Sequence, residues 1–78
     1  MPRYFMHVIS EGLTRDEEGV MLQDLEAARD YALEGARGLV CEQIHNGYLN
    51  LDDRIEVEDE GGRRLFAVSF REAFEIRS

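Results

Sequence analysis

The chain has no lysine and no tryptophan, and it carries one cysteine and one proline. Cys41 alone closes no internal disulfide and builds no multi-cysteine zinc site, which fits a reducing cytoplasm. A single proline excludes collagen-like architectures, and a 44 % hydrophobic content sets the chain apart from disordered segments. No apolar run approaches the roughly twenty residues that cross a bilayer. The opening MPRYFMHVIS also lacks the long apolar centre of a signal peptide. These absences describe one soluble cytoplasmic domain over residues 1–78, with no membrane contact.

Basic charge comes from arginine alone. Nine arginines face seventeen acids, for a net charge of −8. A chain this negative does not attract a polyanion over its whole surface, so nucleic acid is disfavoured as the main partner. The charge is uneven: the acids crowd into residues 11 to 60, while residues 61 to 78 are mildly basic. Such a surface keeps the protein dissolved, or offers an acidic face to a basic partner protein.

Residues 3 to 9 (RYFMHVI) place Tyr4, Met6 and Val8 on one face of a strand and Phe5, His7 and Ile9 on the other. Both faces are largely apolar, which suits a central strand. Residues 10 to 23 read as a turn at Asp16, Glu17, Glu18 and Gly19, flanked by short apolar pieces around Leu13 and Val20 to Leu22 that could form a small hairpin. From Asp24 to about Ile44 the spacing is helical, with Asp24 as cap and Gly47 just beyond the close. Leu25, Ala28, Ala32, Gly35, Ala36, Leu39 and Val40 share one stripe, opposite Glu26, Asp30, Glu34 and Arg37. Small residues along that stripe predict close packing on a sheet, with Gly35 serving the approach; Gly38 points outward without a packing reason.

Residues 54 to 59 and 64 to 70 alternate with period two around Gly61 and Gly62. A two-residue glycine turn, both positions with positive φ, pairs Ile55 with Val68 and Val57 with Phe66 on one face. The other face then pairs Arg54 with Ser69, Glu56 with Ala67, and Glu58 with Leu65.

The opening MPRYFMHV, the turn DEEG, the helix start LQDLEAARDYAL and the hairpin RIEVEDEGGRRLFAVSF together resemble a bacterial family of short proteins that begin Met-Pro-Arg-Tyr-Phe. That family is a domain of unknown function, so the resemblance implies no catalytic residue. A weaker resemblance is to the small sheet-and-helix module of HicB-like antitoxins, whose strands also lead through a polar turn into an alanine-rich helix. It implies an antitoxin or accessory component that binds a basic partner through its acidic helix face.

No constellation of nucleophile, base and anion pocket is present, so the chain reads as a non-enzyme without cofactor. Cys41 and His45 stand four apart on the helix but supply two ligands where a structural zinc takes about four, so no metal is expected. His7 reads as a partly buried histidine whose ring meets Glu56 or Glu58. The acid groups at Asp16 to Glu18 and at Asp52 and Asp53 lack the alternating oxygen ligands of a calcium loop and read as solvated turns.

The fold expected is α+β: an antiparallel sheet of three or four strands with one long helix on one face. Tyr4, Met6, Val8, Ile55, Val57, Phe66 and Val68 form the covered side with Leu25, Leu39 and Val40. The second face carries Phe5, His7, Ile9, Leu65 and Ala67 within a rim of Arg3, Arg54, Glu56 and Glu58. It is too apolar for a small monomer to leave wet. Either the tail around Ala73, Phe74 and Ile76 covers it or another chain does. The expected function is therefore an interaction module, a homodimer or a binder of another protein, that uses this face or an exposed strand edge.

Overall fold

A computed structural model describes residues 1–75. It is α+β, with one helix packed against an antiparallel sheet. In chain order the elements are β1 (Arg3–Ile9), β2 (Leu13–Thr14), β3 (Val20–Met21), α1 (Leu25–His45), β4 (Arg54–Glu58), β5 (Arg64–Ser69) and a short 3₁₀ turn at Phe70–Ala73. Along the sheet the order is β2-β1-β4-β5, and β3 joins the same edge of β1 as β2. β1 is thus a central strand, as its two apolar faces predict.

The expected small hairpin within residues 10 to 23 does not form. Its two apolar pieces pair with β1 instead of with each other: Ile9 lies opposite Leu13, and Tyr4 opposite Val20. The intervening turn is too polar to be buried and too long to hold two strands of two residues together, whereas β1 offers both a ready edge.

Asp24 caps α1, its Oδ1 accepting from the Ala27 amide at 2.8 Å. Beyond the helix, Gly47 takes φ +89°, and its amide donates to the Ile44 carbonyl. Ala28, Ala32, Ala36 and Val40 are buried, and Leu39 packs beside them. Leu25, expected in this stripe, is 53 % exposed, so burial along the helix begins at Ala28. A Cβ at Gly35 would stand 3.5 Å from Ile55 Cδ1, so the close approach is real but would admit alanine. Nothing lies within 4 Å of a Cβ at Gly38. Gly38→Ala should therefore stabilise the domain by about 1 kcal/mol, read as a higher urea midpoint.

The β4–β5 register holds from Arg54 opposite Ser69 to Val57 opposite Phe66, as the alternation predicts. It then shifts, and Glu58 faces Arg64 in place of the expected Leu65. The turn explains the shift. It spans three residues, with the Asp59 amide donating to the Arg63 carbonyl and the Gly62 amide returning to the Asp59 carbonyl. Gly62 alone has positive φ, +80°. The Asp59 side chain accepts from the Gly61 and Arg63 amides, and this selects a wider turn with a bulge over a two-residue turn. Leu65, freed from pairing, packs against the buried cluster.

Val57, Val68 and Phe70 are the largest fully buried side chains. Phe70 and Ala73 extend the core beyond β5, where the Ser69 hydroxyl and the Glu72 carboxylate form a reciprocal cap on the 3₁₀ turn. Arg37 of the helix donates to the Ala73 carbonyl. The tail therefore folds onto the helix side: Ala73 is buried and Phe74 packs against the same cluster, so neither covers the second face. Ile76 lies outside the described residues.

Candidate functional site

Antiparallel pairing of β1 with β4 sets Phe5 opposite Glu58, His7 opposite Glu56 and Ile9 opposite Arg54, all on the face away from the helix. Ala67 of β5 joins them opposite Glu56. Arg3, Phe5, Ile9, Glu56, Glu58, Leu65 and Ala67 are half-buried, and Arg54 is exposed. The face is partly closed by its own charges. Glu56 Oε2 accepts from Arg54 Nε at 3.0 Å and from Arg64 Nη1 at 3.2 Å.

His7 is only 2 % exposed. Its Nδ1 accepts from the Asp16 amide at 2.9 Å, so Nε2 carries the hydrogen and donates to Glu58 Oε1 at 3.0 Å. The ring meets a glutamate as the sequence predicts. The second contact, from residue 16, is a turn folded back over the strand.

That turn completes the outer edge of β1. β2 pairs with Val8 and Ile9, β3 pairs with Arg3 and Tyr4, and the gap between them leaves the Met6 amide without a strand partner. Asp16 fills the gap, its Oδ2 accepting from Met6 at 3.0 Å while Oδ1 accepts from the Glu18 and Gly19 amides. Burial pushes the Asp16 carboxyl up, but the amides of Met6, Gly19 and Glu18 outweigh it and hold the group below its ordinary 3.8. A group with a lowered folded value lends stability above its unfolded value, and that stability is lost as pH falls through the folded one. Asp16→Asn should thus cost about 1 to 3 kcal/mol at neutral pH. In urea unfolding from pH 7 to pH 2, the gap to the parent protein should close below about pH 4.

Two further places remain. Beside His7 lies a shallow groove of about 380 Å³ where Asp16, Glu17, Glu58, Asp59 and Glu60 stand against Arg15. Among the described residues no group of three or more His, Cys, Asp or Glu side chains is placed to hold a metal ion. Cys41 and His45 are both exposed on α1. Asp52 lies in a solvated turn, with Arg71 at 3.5 Å. Asp53, in contrast, is 5 % exposed, its Oδ2 accepting from Ser10 Oγ and from Gln43 Nε2 at 2.7 Å. Gln43 Oε1 in turn accepts from the Asn50 amide. Sequence reasoning missed this buried polar cluster, since neither Gln43 nor Asp53 departs from the pattern of a surface residue.

The free edge of the sheet is β5. The Phe70 amide donates to the Asp53 carbonyl at 2.8 Å, and antiparallel alternation then turns Val68 towards β4 and the Ala67 N–H and C=O away from it. Among the described residues the Glu72 carboxylate reaches that outer edge at its end, accepting from the Ser69 amide at 2.8 Å, while nothing meets the Ala67 amide. The residues of the run, Leu65 to Ser69, carry no charge of their own.

No helix among the described residues is long and apolar enough to cross a membrane. A family model described as Domain of unknown function (DUF6894) matches residues 3–71. No curated protein and no solved structure matches the chain.

Proposed function

We propose, for a chain that belongs to the DUF6894 family of domains of unknown function, a non-enzymatic interaction module that pairs with a second copy of itself along β5. The observation that carries this reading is the outer edge of β5, where the uncharged run Leu65 to Ser69 turns the Ala67 N–H and C=O outward. An open, apolar, β-prone edge invites pairing, and soluble proteins blunt such edges with charge, proline or a covering segment. The opposite edge is blunted in that way by β2, β3 and Asp16. A second copy of β5, run antiparallel about a two-fold axis near Ala67, brings no like charges together within the run. The second sheet face is the weaker candidate, since Glu56 and Glu58 already meet Arg54, Arg64 and His7 within the chain.

Light scattering of the intact chain and of Ala67→Pro tests the reading. Proline there removes only an outward N–H, so the fold should persist with β4 pairing intact. The parent protein should show twice 9.0 kDa at tens of micromolar, and the folded variant 9.0 kDa. A parent mass of 9.0 kDa, or a variant that stays dimeric, would remove the proposal.

A further inference from the structure

We infer that a pocket between β1 and the C-terminal half of α1 binds a primary alkylammonium group, from a free amine or from a lysine side chain of another polypeptide. The pocket holds about 130 Å³. Since an apolar cavity of about 150 Å³ accepts benzene, it has room for roughly five non-hydrogen atoms, the length of a lysine side chain. Val8, Leu39 and Phe70 supply apolar wall, while Ser10, Glu42, Gln43 and Tyr48 supply its polar groups.

The hydrogen-bond directions select the ligand. The Ser10 hydroxyl gives its hydrogen to Asp53, which also takes one of the two Gln43 amide hydrogens, so Ser10 presents only oxygen lone pairs to the pocket. Glu42 adds a carboxylate at the rim and Tyr48 an aromatic ring. Behind Ser10 and Gln43, the Asp53 carboxyl is buried with no basic side chain beside it among the described residues. The lining carries the Glu42 carboxylate, with Asp53 behind it, and no arginine, so an anionic head group is repelled and an uncharged one leaves that charge unanswered. An ammonium donates its hydrogens to the oxygens of Ser10 and Glu42, and its alkyl stem fits the apolar wall. The net charge of −8 draws in such a cation.

The test follows amide resonances during titration with n-butylammonium chloride, with N-acetyl-lysine N-methylamide and with neutral 1-butanol. Both cations should shift Ser10, Gln43 and Tyr48 saturably below about 50 mM, a range suited to a ligand of five heavy atoms, and butanol should not. Binding of butylammonium alone would assign the site to free amines, and binding of both admits a lysine side chain. Glu42→Gln, an exposed change that leaves the fold intact, should weaken butylammonium about fivefold or more. Shifts that never saturate, equal shifts from butanol, or unchanged affinity in Glu42→Gln would overturn the inference.

Discussion

Replacing Phe70 with alanine should cost about 3 to 5 kcal/mol, enough to leave much of a domain this size unfolded at room temperature. Phe70 is 1 % exposed and lies where the end of β5 meets the helix. Its amide also ties the 3₁₀ turn to Asp53. The buried cluster that holds Phe70 also contains Ala32, Ala36 and Ala73, whose short side chains have little reach into the space left behind. Thermal unfolding followed by circular dichroism measures the loss. Phe66→Ala, at a half-buried ring on the same face, should cost less, and the order of the two tests the placement of the core.

Gly19→Ala should be nearly as damaging. Gly19 has φ +72°, which costs a residue with a side chain about 1 to 2 kcal/mol. In addition, a Cβ there would lie 2.9 Å from the Tyr4 carbonyl oxygen and from Arg3 Cγ, and 3.0 Å from the Phe5 ring. The carbonyl belongs to β1 and cannot yield without loosening the strand, so overpacking adds about 1 to 3 kcal/mol. The turn would lift, and Asp16 would lose its hold on the Met6 amide and on His7. The expected result is a lower urea midpoint with faster amide exchange at Met6. A variant as stable as the parent would mean that the turn does not clamp β1.

The regular elements were legible because periodicity carries them. The alternation in Arg3 to Ile9 and the small-residue stripe after Asp24 each match one element of the structure, and the apolar pairs Ile55 with Val68 and Val57 with Phe66 fix the hairpin. The parts that escaped depend on single polar side chains acting over long range. Asp59 chooses the turn and so displaces Leu65, although an aspartate two residues before a Gly-Gly pair was a readable sign of a side-chain-capped turn. Asp16 replaces a missing strand partner, a role that no spacing encodes. Gln43 and Asp53 are buried because they satisfy each other. Phe70 sits past the end of the strand, where period two no longer says which way a side chain points.

Amide hydrogen exchange at Ala67 tests the central claim most directly, because its N–H points away from β4 and has no partner within the described chain. In a concentrated sample Ala67 should exchange about as slowly as Val68, whose amide is bonded within the sheet, and dilution through the dissociation range should speed Ala67 while leaving Val68 slow. Ala67 exchanging freely at every concentration, with Val68 still protected, would contradict pairing along β5.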